Sequence, residues 1–236
     1  MITTYSISMV HPKWPERLVI VRHGQSEQNV ALDLLSIDED ALAKQKKIRD
    51  MDVELTETGV WQAEETGKYL AETGRFDICF SSPYKRTVQT AQAIIRNMGY
   101  EIKLREDERL REKEFGRLHG FSKKEIRERF PEEFERRQRD GSYYYRLPDG
   151  ENYPDVGERV HSFLGKLNRK YAGQSVLVVT HQVPYLMFRE RFEHSGEKGI
   201  LALGDVPNCG MEEFKIDTSK YKEGRMKLKG FNLVAY

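Results

Sequence analysis

Cysteine is scarce. Cys79 and Cys209 are the only two in 236 residues, too few for the disulfide framework of a small secreted domain or for a zinc cluster. Both are read as reduced, structural side chains. Long apolar runs are missing as well, and short ones such as Val176–Val179 suit a buried strand rather than a membrane span. The N-terminus lacks the apolar core of a signal peptide, so the expected location is cytoplasmic, without a membrane partner. Neither sign of charge dominates: 39 Lys and Arg face 38 Asp and Glu, a net charge of +1. That balance gives no reason to expect a nucleic-acid partner. No GxxxxGK[ST] loop, HExxH pair or GxSxG turn occurs, which argues against an NTPase, a metal centre and an elbow-type serine hydrolase. The expectation is therefore an enzyme or binding protein with no cofactor and no metal.

What is there is a foldable chain. Hydrophobic residues make up 38% and aromatics 11%, which excludes disorder and suffices for a real core. No repeat and no Gly/Ser or Pro-rich linker divides it, so residues 1–236 are read as one domain, with an N-terminal tail over 1–16. Short apolar runs at 17–22, 76–80 and 175–180 read as buried strands, and weaker candidates lie at 100–105, 210–216 and 226–234. Helical patterns alternate with them. One covers 58–73. Ser82-Pro83 resembles a cap followed by a first-turn proline, predicting a helix over 84–97. Ser122 and Glu125 fit a capping box. Pro154 opens a helix with Val156, Val160, Leu164 and Leu167 on one stripe, and a last helix covers 184–193. This alternation predicts an α/β fold: a three-layer α/β/α sandwich on a mostly parallel sheet of about six strands. The charge-dense stretch from about 105 to 150 carries Ile126, Phe130 and Phe134 at four-residue spacing. It is read as short helices laid over the sheet edge as a cap, its charges mostly a solvated face.

Chemistry-bearing residues collect where strands end. Arg22-His23-Gly24 closes the first strand and Thr180-His181-Gln182 closes another; ligands of open α/β sheets bind beyond such carboxyl ends. Ser81–Arg86 follows a third strand and sets Arg86 in the first turn of a helix, where backbone N–H groups favour anions. Two guanidinium groups and two imidazoles suit a phosphate dianion. Two nearby cations also disfavour protonation of His23, and a neutral imidazole is what a nucleophile requires. His11, His119, His161 and His194 show no partner pattern and receive no role.

The string Leu18–Asn29 (LVIVRHGQSEQN) resembles the signature of the histidine phosphatase superfamily, in its phosphoglycerate-mutase-like branch. The similarity continues in order through Leu55–Gly59 with Gln62-Ala63, Ser81–Ala91, Leu110-Arg111-Glu112 and Val179–Gln182, covering about residues 17–192. The resemblance implies that His23 is the nucleophile that becomes phosphohistidine. It implies that Arg22, Arg86 and His181 grip the phosphoryl oxygens, and that Glu112 protonates the leaving oxygen and then activates water. Asn29 and Gln182 become secondary phosphate contacts. Glu106, Glu108 and Glu114 are neighbouring carboxylates that share the run with Glu112. The stretch Glu125–Tyr153 is similar to the bisphosphatase half of the fructose-2,6-bisphosphatase enzymes, which makes Arg137 and Tyr153 candidates for the distal part of the substrate. After Glu112 the chain reads Lys113-Glu114-Phe115-Gly116, without the arginine and tyrosine that a mutase has there. The expected activity is hydrolysis of a small phosphorylated metabolite. A mutase-type phosphoryl transfer is the alternative, and a silent phospho-ligand-binding protein is the reading from another class. A homodimer is left as one option for assembly.

Overall fold

The computed structural model describes residues 12–33, 48–220 and 223–236. Six strands form one sheet: β1 (Arg17–Arg22), β2 (Ile78–Ser81), β3 (Lys103–Glu106), β4 (Ser175–Thr180), β5 (Met211–Asp217) and β6 (Arg225–Leu233), in the order β3-β2-β4-β1-β5-β6. The first four in that order are parallel, β5 pairs antiparallel with β1, and β6 pairs antiparallel with β5. The expected α/β sandwich is therefore present. Of the anticipated tail, residues 1–11 lie outside the described residues; Trp14 packs edge-on against Phe192 at 5.5 Å.

The central strands read as continuous apolar runs because both faces are covered. Alternate residues of β1 and β4 enter opposite cores. Leu18, Ile20, Val176 and Val178 face the helices α6 (Tyr153–Lys170) and α7 (Gln182–Glu193), while Val19, Val21, Leu177 and Val179 face α2 (Glu57–Glu72) and α3 (Lys85–Arg96). The predicted stripe Val156, Val160, Leu164 and Leu167 is buried on α6. The short helix α1 (Glu27–Asp33) follows the loop after β1. No helix among the described residues is long and apolar enough to cross a membrane.

The cap comprises α4 (Lys123–Arg129) and α5 (Pro131–Tyr144), and α8 (Gly196–Ala202) follows α7. Two details, the start of the cap and the Ser82 cap, depart from the sequence expectation. Arg105 and Glu106 belong to β3, so the cap starts later than 105. The expected short helices are present: Ile126 and Phe134 lie on α4 and α5, and Phe130 (φ −136°, ψ 57°) is the joint between them, since Pro131 forces the chain to restart. Ser82 does not cap α3. Tyr84 stays extended and holds the N-cap position, and the Ser82 hydroxyl is engaged by His181 instead. The Ser122–Glu125 capping box forms as expected. Gly141 (φ 74°) breaks α5 near its end, and buried Tyr143 beyond the break stacks on Tyr153 of α6 at 5.3 Å.

Candidate active site

Parallel pairing of β1 and β4 puts Arg22 opposite Thr180. The residues that follow, His23 and His181, therefore leave the sheet side by side. His23 N–H donates to the Thr180 carbonyl at 2.9 Å, and the two imidazoles meet edge to face with centroids 5.2 Å apart. Nδ1 of His23 lies 2.7 Å from the Gly24 carbonyl. A carbonyl only accepts, so Nδ1 carries the proton and the neutral ring keeps its lone pair on Nε2. Burial first, then Arg86 and Arg22, hold His23 well below its ordinary 6.5. Burial and Arg86 do the same to His181.

β2 lies on the other side of β4 and delivers the next group. Ser82 Oγ sits 2.9 Å from Nε2 of His181, while Nδ1 of His181 is buried without a protein partner. Arg86, in the first turn of α3, is 2% exposed. Its guanidinium donates to both carboxylate oxygens of Asp50, at 3.0 and 3.3 Å, and to the Asp50 carbonyl at 2.6 Å. Arg22 donates to the Val206 carbonyl, and its Nε is also buried and unpartnered. Both atoms keep hydrogen-bonding capacity that the protein does not use.

Glu112 is 8% exposed. Its Oε1 accepts from the backbone N–H groups of Lys113 (2.7 Å) and Val183 (3.2 Å). Burial raises its pKa above the ordinary 4.5, Asp50 adds to this, and Arg86 and the two hydrogen bonds oppose it. A depressed imidazole beside a raised carboxyl is the pairing that supplies a base or nucleophile and an acid at one pH.

His23, Arg22, Arg86, Glu112 and His181 thus converge. The four secondary candidates do not all join them. Asn29 Oδ1 accepts from Ser26 N–H, Ser26 Oγ and Asn208 Nδ2 at 3.0–3.2 Å. Gln182 spends both ends of its amide on the 204–206 loop, donating to the Gly204 carbonyl (3.1 Å) and accepting from Val206 N–H (3.0 Å). It therefore braces the loop that holds Arg22, with one Nε2 hydrogen left over. Arg137 and Tyr153 line a cap cavity of about 210 Å³ together with Lys113, Lys123 and Phe115. No acidic side chain is among that cavity's lining residues. Sequence reading missed Asp50, Lys113 and Arg159, which hold or flank the site from positions with no spacing signal. It also gave Ser82 a cap rather than its place against His181.

The model of the histidine phosphatase superfamily (branch 1) matches residues 18–229. The chain belongs to this superfamily. A 2,3-bisphosphoglycerate-dependent phosphoglycerate mutase of Rhizobium etli is 36% identical over 206 residues, 84% of this chain and 90% of that protein. Phosphoserine phosphatase 1 of Hydrogenobacter thermophilus is 32% identical over 168 residues, 71% of this chain and 72% of that protein. The phosphoglycerate mutase-like protein AT74 of Arabidopsis thaliana is 34% identical over 165 residues, 66% of this chain, and the match spans about half (47%) of that relative's length. Among solved structures, a mycobacterial glucosyl-3-phosphoglycerate phosphatase with inorganic phosphate superposes with a TM-score of 0.71 at 22% identity, covering 93% of this chain and 98% of that one. Its likeness extends the agreement to the fold. The chain is therefore an enzyme of the histidine phosphatase type, in a superfamily whose members include both phosphatases and mutases.

Proposed function

We propose that the protein is a phosphomonoester hydrolase that works through phosphohistidine without a metal ion. The observation that carries this reading is the buried pair of His23, with its free lone pair on Nε2, and Glu112, with its raised pKa, beside two arginines. The Nε2 lone pair attacks phosphorus and the P–O bond to the alcohol breaks. Glu112 gives its proton to the departing oxygen. Water then attacks phosphohistidine, Glu112 takes a proton from it, and phosphate leaves His23. Arg22, Arg86 and His181 neutralise the phosphoryl oxygens throughout. Phosphoryl transfer depends on such positioning and charge more than on covalent machinery.

The cap narrows the ester. Lys113 follows Glu112 directly and lies 5.1 Å from both the Phe115 and Tyr153 rings. Burial pushes its ammonium down to about 8, against the pull of Glu112. A cavity with Lys113, Lys123 and Arg137 and no acid among its lining residues favours an alcohol part that carries its own anionic group. Phosphoglycerate and phosphoserine both meet that description, which keeps mutase-type transfer as the second reading, supported by the Rhizobium relative.

The test uses a chromogenic aryl phosphate with chelator present, together with labelling by a phosphoryl donor. Turnover is expected to persist, with an acid-labile, alkali-stable adduct on His23. His23→Ala should abolish the adduct and lower turnover by orders of magnitude. Near-normal activity in His23→Ala would sink the mechanism.

A further inference from the structure

Glu112 sits in a stretch that no helix or strand holds. Residues 111–115 lie between two single turns, at Glu108–Leu110 and Gly116–Leu118. Such a segment keeps its shape only if other parts of the chain satisfy its backbone. Here the carbonyls of 109–112 are all taken from outside. Thr180 Oγ1 donates to Leu110 O at 2.8 Å. Arg159, on α6, takes the other three: Nη1 donates to Arg109 O (2.8 Å) and Arg111 O (2.7 Å), and Nη2 donates to Glu112 O (3.0 Å).

The guanidinium is itself fixed. Its Nε and Nη2 donate to the two carboxylate oxygens of Glu151, both at 2.9 Å. All five N–H donors of Arg159 are thereby used. Glu151 closes the frame, because its Oε2 accepts from Glu114 N–H at 2.9 Å and its own N–H donates to Glu114 O at 2.9 Å. The Arg159 and Glu151 side chains are only 12% and 18% exposed. A planar fork in this setting loses little entropy on bonding and tolerates little displacement.

We propose that Arg159 is a positioning residue for Glu112, holding the carboxyl in line with the leaving oxygen through three backbone carbonyls. The role is geometric: Arg159 touches the backbone of Glu112 and not its carboxyl group. The proposal rests on the reading of Glu112 as general acid. It differs from a merely structural role in what it predicts. A misplaced acid harms only substrates that need one, whereas a loosened fold harms all substrates together.

The experiment compares kcat/KM, which reports steps up to alcohol release, for nitrophenyl phosphate and for an alkyl ester. The alkyl ester is phosphoserine or 3-phosphoglycerate, whichever the wild type turns over faster. General acid help is typically about 10²–10⁴-fold, and a displacement near 1 Å forfeits about 10²-fold. Arg159→Lys, which cannot span three carbonyls and Glu151, should lower the alkyl ester about 30- to 100-fold and nitrophenyl phosphate less than about 3-fold. Glu151→Gln keeps the fold's packing and the carbonyl bonds but loosens the anchor. It should show the same contrast at about 3- to 10-fold, and it carries the test if Arg159→Lys fails to fold. Glu112→Gln is the reference. If it shows the leaving-group contrast and the Arg159 and Glu151 variants slow both substrates equally, or neither, the proposal is overturned and the acid reading stands. If Glu112→Gln itself lacks the contrast, Glu112 is not the acid and the proposal falls with it.

Discussion

Gly59→Ala is a substitution that local rules recommend and the tertiary structure forbids. Gly59 is the third residue of α2, and alanine in a helix is worth about 1 kcal/mol over glycine. A methyl group there would lie 2.0 Å from the carbonyl oxygen of Gln25 and 2.9 Å from its nitrogen. Ordinary contact starts at 3.4 Å, so helix and loop must separate by about 1.4 Å, the difference between 3.4 and 2.0 Å. The loop has nowhere to go. Gln25 O accepts from Thr56 N–H (3.0 Å), Gln25 N–H donates to Gln62 Oε1 (2.9 Å) and Gly24 N–H donates to Thr90 Oγ1 (3.1 Å). A Cβ on Gly24 would in turn meet Gly59 O at 2.4 Å. Gly24 O is the acceptor that sets the His23 tautomer, so the displacement reaches the proposed nucleophile. Overpacking typically costs about 1–3 kcal/mol. The expected result is a fall of about 2–12 °C in Tm and of about 10²-fold or more in kcat/KM on an aryl phosphate. Gly157→Ala is the control: it is also helical, but its Cβ would meet only Met187 Sδ, at 3.5 Å, and it should leave both quantities unchanged or raise Tm slightly. Thermal scans and steady-state kinetics on the two variants decide the matter. A Gly59→Ala enzyme with raised Tm and wild-type turnover would refute the interlock and the argument built on it.

The acid limb of the kcat/KM profile should lie well below pH 6.5, because His23 must be neutral and its pKa is depressed, while Arg86→Met should move that limb upward by removing a cation. The same groups set stability. The unfolded state takes up protons on His23 and His181 near 6.5 and the folded state does not, so stability is present above that pH and is lost as pH falls below it; a midpoint that rises on acidification from 6.5 would contradict this. Arg137→Ala or Tyr153→Phe should raise KM for an anionic alkyl ester and spare nitrophenyl phosphate, since both residues line the cap cavity, whose lining residues do not include His23 or His181. In a paired assay on one preparation, phosphate release should exceed interconversion of 2- and 3-phosphoglycerate; interconversion well ahead of release makes the protein a mutase.

The sequence by itself determined the layers and the sheet edge at which the candidate histidines meet. Buried strands flanked by helices are written in apolar runs and their spacing, because a parallel strand covered on both faces needs side chains of one kind throughout. The positions of His23 and His181 followed from the same rule, since both sit one residue past such a run and parallel strands end at one edge. Glu112 was named among neighbouring carboxylates only through resemblance. Its burial, which separates it from Glu108 and Glu114, belongs to the packed chain. The joint at Phe130 was masked by a four-residue spacing that two helices reproduce as well as one. The bonds that tie the Gln182 amide to the 204–206 loop were not legible in the sequence. Asp50 on Arg86 and Arg159 on the Glu112 loop are contacts across 36 and about 50 residues of sequence. Local propensity carries no trace of such pairs, because the partner of a charged side chain is fixed only when distant elements are packed.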